Sequence, residues 1–243
     1  MRLSHHAGVS NVGRVRKNNE DVYAISLERN LALVADGMGG AACGEIASAM
    51  TAEAVREYFD SAQTQPPAKI VEGSIHFAND RVWQAAQAPG GCDGMGTTLV
   101  LAHWEQDQLW LANVGDSRGY ILRQGALQQL TYDQNLANDL RETLQLTDEQ
   151  IASYPQRNAL TMAMGTRAEV QFRMCQGALQ DGDTLLLCTD GLTNPLKDEA
   201  IRSILLDIGP LETAAETLVE AAMDNGGTDN VTVVLLRFSF DRS

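Results

Sequence analysis

Short apolar runs separated by turn residues recur along the chain, at 22–27, 31–35, 98–104, 109–114, 119–123, 170–175, 184–189 and 231–238, and each has the length of a strand. Between the second and third runs lie two stretches with helical periodicity. One, 45–59, puts Ile46, Ala47, Met50, Ala54 and Tyr58 on a common face, and the other, 68–88, does the same with Val71, Ile75, Ala78 and Val82. A second helical pair, 197–207 and 211–224, leads into the last strand. Strands grouped with strands and helices with helices predict an α+β fold rather than the regular alternation of a parallel α/β sheet. The expected form is a four-layer sandwich of two antiparallel β-sheets flanked by α-helix pairs. Residues 132–165 depart from this pattern. They are polar, contain one helix start marked by the capping-box spacing of Thr147 and Gln150, and are expected to form a functional flap.

The chain has 243 residues, 44% of them hydrophobic, enough for one core, and its only linker-like stretch, 61–67, is too short to separate domains. A single catalytic domain, 1–243, is expected. The net charge of −14 argues against a nucleic-acid or anionic-membrane partner, since neutralising phosphates takes clustered Lys and Arg. The four cysteines (Cys43, Cys92, Cys175 and Cys188) lack C-x-x-C spacing, and the N-terminus lacks the basic-then-apolar layout of a signal peptide. These features predict reduced thiols and a cytoplasmic location. No apolar run approaches the ~20 residues that cross a bilayer, so no membrane insertion is expected.

Carboxylates change the picture most. Three apolar strands run directly into Asp and Gly: Val34-Ala35-Asp36-Gly37, Cys188-Thr189-Asp190-Gly191 and Asn113-Val114-Gly115-Asp116. A fourth aspartate, Asp229, sits just before the last strand. Any one of these reads as a turn, because Asp and Gly are favoured where the backbone reverses. Together they put carboxylates at the mouths of neighbouring strands, where mutual repulsion calls for cations. Oxygen-only ligands favour Mg²⁺ or Mn²⁺ over softer metals. Upstream, Arg16-Lys17-Asn18-Asn19-Glu20-Asp21 adds two more carboxylates and a guanidinium able to grip two phosphate oxygens in a fork. His5, His6, His76 and His103 have no metal-ligand spacing and read as structural.

Two other motifs fail on context. Gly115-Asp116-Ser117-Arg118-Gly119 fits the nucleophile elbow, yet a strand rather than a helix follows it and no His lies beyond His103. Gly37-Met38-Gly39-Gly40-Ala41-Ala42 fits a dinucleotide fingerprint, but Asp36 would press its charge against a pyrophosphate.

In chain order, residues 16–21, Val34-Ala35-Asp36-Gly37-Met38-Gly39-Gly40, Met95-Gly96-Thr97-Thr98, Val114-Gly115-Asp116-Ser117-Arg118, Thr189-Asp190-Gly191-Leu192 and Thr228-Asp229-Asn230-Val231 resemble the motifs of the PPM (type 2C) metal-dependent Ser/Thr protein phosphatases. Each is weak alone, and the six in order are specific. The resemblance implies a β-sandwich flanked by helices, with a dinuclear Mn²⁺ or Mg²⁺ centre at one edge. It implies Asp36 bridging two ions, Asp190 and Asp229 completing one site, and the Gly37 carbonyl with Glu20 or Asp21 supporting the other. Asp116 with Asp190 resembles a third, weaker site. Arg16 is implied as the phosphate grip. A metal-activated water would hydrolyse phosphoserine or phosphothreonine in proteins without a phosphoenzyme. The implied partners are phosphorylated proteins and a Ser/Thr kinase whose action the enzyme reverses, with the enzyme itself a monomer. The alternative is a catalytically degenerate phosphatase-like binding or sensor module.

The sequence departs from the family pattern at Met38, where eukaryotic relatives carry a His proposed as the acid, so a metal-held water is the expected proton donor. In the flap, Thr161-Met162-Ala163-Met164-Gly165 and Asp133-Gln134-Asn135 replace the more usual Thr-Arg-Ala-Leu-Gly and Asp-His-Ser. Less reliance on charge is expected there.

Overall fold

A computed structural model describes residues 2–39 and 43–239. Strands β1 (Arg2–Asn11), β2 (Asp21–Ser26) and β3 (Leu31–Met38) lead into helices α1 (Cys43–Ser61) and α2 (Pro67–Gln87). Strands β4 (Gly96–Thr97), β5 (Leu99–Glu105), β6 (Gln108–Val114), β7 (Arg118–Arg123) and β8 (Ala126–Gln129) follow. Then come α3 (Leu136–Leu144), α4 (Asp148–Ala152), β9 (Arg173–Ala178), β10 (Thr184–Cys188), the short α5 (Asp190–Thr193), α6 (Asp198–Asp207), α7 (Leu211–Asp224) and β11 (Val231–Ser239).

One sheet runs β1-β11-β10-β7-β8 and the other β2-β3-β5-β6-β9, with β4 paired to the far end of β3. Every pairing is antiparallel. The strand period of two explains why the central strands read as unbroken apolar runs. On β3, Leu31 and Leu33 pack under α1 and α2 with Val55, Val71 and Ile75. Ala32 and Val34 point the other way, into an inter-sheet layer with Val100, Leu185, Leu187, Val234 and Phe238. On the opposite flank, Leu186, Val233 and Leu235 meet Ile201, Leu205, Leu218 and Ala222 of α6 and α7. The expected α+β sandwich of two sheets with outer helix pairs is therefore the observed architecture.

Local differences have local causes. On α1, Ile46 is 44% exposed, because the small residues Gly44, Ala47, Ser48 and Thr51 form the stripe pressed against the sheet. Strand β9 begins at Arg173 rather than 170: Val170 and Phe172 are spent on the α1/α2 core, and pairing to β6 starts only at Asn113↔Arg173. His5 and His6 lie within β1, an edge strand too polar to stand out in the sequence. In the flap, Thr147 and Gln150 form the expected capping box, and α3 starts at an unanticipated cap, the Asn135 side chain accepting from the Asn138 N–H. Among the described residues no helix is long and apolar enough to cross a membrane.

The expectation of reduced thiols is corrected at one pair: Cys43 and Cys92 are joined by a disulfide, while Cys175 and Cys188 are free. A sequence separation of 49 gave no signal. Helices α1 and α2 form a hairpin, which returns the chain after α2 to the start of α1.

Candidate metal centre

The end of β3 is held on both sides. Asp36 faces Asp21 across the ladder. Its N–H donates to Thr98 Oγ1 (3.0 Å), and its carbonyl accepts from the Thr98 N–H (2.9 Å) and from Thr97 Oγ1 (2.8 Å). Thr98 Oγ1 in turn shares a 2.7 Å hydrogen bond with Ser117 Oγ, so this serine is buried and committed, as suits a turn that enters strand β7 and not a nucleophile elbow. Gly37 follows because nothing larger fits: a Cβ there would run into the Gly44 carbonyl at the head of α1. Gly40, the last residue of that motif, and the Ala41-Ala42 of the fingerprint lie outside the described residues.

The 16–21 segment is fastened by Asn230, which the last of the six motifs contains without a role of its own. Asn230 donates from Nδ2 to the carbonyls of Val12 (2.8 Å) and Asn18 (2.9 Å), and its Oδ1 accepts from the Glu20 N–H (2.8 Å). Asn230 neighbours Asp229, so one short turn before β11 supplies a carboxylate and anchors the segment that carries Arg16.

Arg16, Glu20, Asp36, Gly37, Asp116, Asp190 and Asp229 all line a single cavity of about 540 Å³, together with Lys17, Met38, Asn158 and Leu160. Asp21 does not line it. It sits behind, with Oδ2 accepting from Thr189 Oγ1 (2.8 Å) and Thr232 Oγ1 (2.7 Å). Asn158 and Leu160 come from the flap, and no motif marks them.

The electrostatics are those of crowded, dehydrated acids. Burial, then Asp21, Asp190, Asp229 and Asp116, holds the Asp36 carboxyl well above the usual range. Burial and then Asp190 push Asp116 up to about 7. Asp21 is also pushed to about 7 by burial, against the pull of its two threonine hydrogen bonds. Asp190 is raised by burial and Asp229, while hydrogen bonds from Asn194 and Asp36 work the other way. Two cations, Arg16 and Lys17, line the cavity with them, and Arg16 donates to Asp229 Oδ2 at 2.8 Å.

Such a donor set fits hard divalent cations on two observations. The Oδ1 atoms of Asp190 and Asp21 are buried with no hydrogen-bond partner, a costly state that positive charge relieves. Every acidic lining group offers oxygen, and among the described residues neither thiol nor imidazole lines the cavity. Among the described residues no three acidic, imidazole or thiol side chains stand close enough to chelate an ion unaided.

Comparison with known proteins gives one consistent answer. Residues 13–226 match the family model described as Protein phosphatase 2C. The chain is 36% identical over 231 residues to the serine/threonine phosphatase Stp of Listeria monocytogenes, covering 92% of each. The crystal structure of the Mycobacterium tuberculosis serine/threonine phosphatase PstP/Ppp superposes with a TM-score of 0.89 at 34% identity, over 97% of this chain and 99% of that one. A PstP catalytic domain in complex with two manganese ions superposes with a TM-score of 0.84 at 33% identity, over 97% and 98% of the two chains.

Proposed function

This chain belongs to the protein phosphatase 2C family, and from that membership we propose that Asp36, Asp190 and Asp229 hold two Mn²⁺ or Mg²⁺ ions, with Arg16 as the grip on the substrate phosphate. The enzyme is a bacterial serine/threonine phosphatase that dephosphorylates proteins. What supports the site reading above all is the convergence of four strand-end aspartates on one cavity, with Asp190 Oδ1 left partnerless inside it. Glu20 and the Gly37 carbonyl back the same pair of ions, Asp21 supports them from behind, and Asp116 with Asp190 forms the third, weaker site. When bound, the cations supply Lewis acidity, acidifying water and drawing charge from the phosphoryl oxygens.

The chain's own groups do the rest. Arg16 swings from Asp229 Oδ2 to two phosphate oxygens, an exchange its 54% side-chain exposure permits. Asp36, Asp190 and Asp229 hold the ions in place, with no covalent role for any side chain. Met38 lines the cavity without a proton to give, and the flap presents only Asn158 and Leu160, both uncharged. The flap therefore limits water and shapes the phosphopeptide entrance without charge pairing. Residues 1–243 work as one catalytic domain, a monomer in the cytoplasm that reverses a Ser/Thr kinase. No observation favours a degenerate binding module, since each expected aspartate is in place.

Calorimetric titration of Mn²⁺ into wild type and Asp229→Ala, paired with phosphopeptide hydrolysis, tests this reading. Wild type should bind two or more ions and turn over, and the variant should lose both. Metal-independent turnover would sink it. Arg16→Lys is expected to raise KM for a phosphopeptide roughly tenfold with a smaller change in kcat, since an ammonium cannot form the two-pronged contact. An unchanged KM would remove Arg16 from the phosphate.

A further inference from the structure

The Cys43–Cys92 bond does not itself line the carboxylate cavity: both cysteines pack on a small apolar cluster of Ala47, Val82, Ala86 and Met95, next to Gly39 of the cavity wall. Cys43 heads α1, whose next residue, Gly44, lies against Gly37 of the metal loop. The Cys92 carbonyl accepts from the Met95 N–H (3.0 Å), and the following Gly96 and Thr97 pair with Met38 and Gly37. Gly39 is caught between the two: a Cβ there would stand 3.0 Å from Met95 Cα and 3.3 Å from Cys43 Cβ. Both bonded cysteines are only half-buried, and their Cα atoms are 5.7 Å apart, an ordinary span for a disulfide. A chain of 243 residues with three large buried clusters does not need such a staple to fold.

The geometry points to Cys43 and Cys92 as a reversible thiol–disulfide modification site whose closure clamps 37–39 between α1 and β4 and thereby tightens cation binding. The oxidant is a low-molecular-weight disulfide such as glutathione disulfide. One protein thiolate displaces a glutathione thiolate and the second resolves the mixed disulfide. The two cysteines thus lose two electrons and two protons in all, and two glutathione thiols leave. Oxidation stays confined to this pair because the other two thiols are out of reach: Cys188 is fully buried in β10, and Cys175 is packed against the inter-sheet layer. The clamp stands on its own, while its effect on cations rests on the metal reading above.

The test uses the full chain equilibrated in glutathione buffers from reducing to oxidising. Alkylation with mass spectrometry reads the bond, amide hydrogen exchange reads the clamp, and Mn²⁺ calorimetry reads the cation site. Oxidation is expected to protect Cys43 and Cys92 alone, to slow exchange at 37–39 and 95–97, and to lower the Mn²⁺ Kd about fivefold, the low end of ordinary coupling between sites. Cys43→Ser with Cys92→Ser should match reduced wild type in every buffer. Full alkylation of both cysteines throughout, or a bond that leaves exchange unchanged, overturns the proposal. An Mn²⁺ Kd identical in both states overturns the coupling. Absence of Mn²⁺ binding in either state removes the metal reading and the coupling together, while slowed exchange then still supports the clamp.

Discussion

Asp36→Asn is expected to cut Mn²⁺-dependent hydrolysis of p-nitrophenyl phosphate by about three orders of magnitude or more, because the metals' share of transition-state stabilisation amounts to several kcal/mol. The same substitution should raise, not lower, the melting temperature of the protein in EDTA. Asp36 is buried and faces Asp21, Asp190, Asp229 and Asp116, so its charge opposes folding when no cation is present. The backbone contacts that fix its position, to Thr97 and Thr98, do not involve its carboxylate and survive the change. An aspartate kept for architecture would behave in the opposite way, losing stability and activity together. Near-normal turnover of Asp36→Asn with saturating Mn²⁺ would show that the site is held elsewhere. A large fall in the EDTA melting temperature would show that Asp36 is structural.

Much of this is legible from spacing alone, and the failures share a cause. Central strands buried on both faces, such as β3 and β10, announce themselves as apolar runs ending in Asp-Gly, and so the four aspartates can be placed from the residues around them. Edge strands β1 and β8 carry half-exposed polar patterns, which leave no such trace. Asn230 stands in a motif, but its anchoring role is hidden for a different reason. Its work is done through three backbone partners far away in sequence, and an Asn before a strand looks like any other turn residue. Asn158 and Leu160 reach the cavity only because the flap folds over it, a tertiary fact with no local code. The disulfide is the same kind of fact, created by a helix hairpin rather than by a motif.

Metal-free protein is expected to melt at a higher temperature near pH 5.5 than near pH 8, opposite to most proteins losing stability in mild acid. Asp21 and Asp116 have folded pKa values of about 7, above the ordinary value of 3.8, and Asp36 and Asp190 are shifted the same way. A carboxyl with a raised folded pKa binds its proton more tightly in the native state. Its contribution is therefore complete below about pH 4 and is lost as pH rises through its folded pKa, about 7 for Asp21 and Asp116. From about pH 5.5 to 7 Asp21 and Asp116 each account for about 2 kcal/mol at most, less where neighbours share protons. His103 works against this trend: burial lowers its pKa, so its contribution is lost as pH falls. His103 and the exposed Glu72, lowered by its hydrogen bond from Lys69, stand against five raised carboxyls once Glu20 is included, and the net shift in melting temperature should be on the order of 5 to 10 °C. Saturating Mn²⁺ should remove most of the slope, because cations neutralise the same carboxylates and bind only when these are deprotonated. Calorimetric scans in EDTA and in Mn²⁺ across this range decide the matter. A melting temperature in EDTA that rises from pH 5.5 to 8 would mean that the cavity acids are not crowded in the folded protein. The requirement for cations would then lose its physical basis.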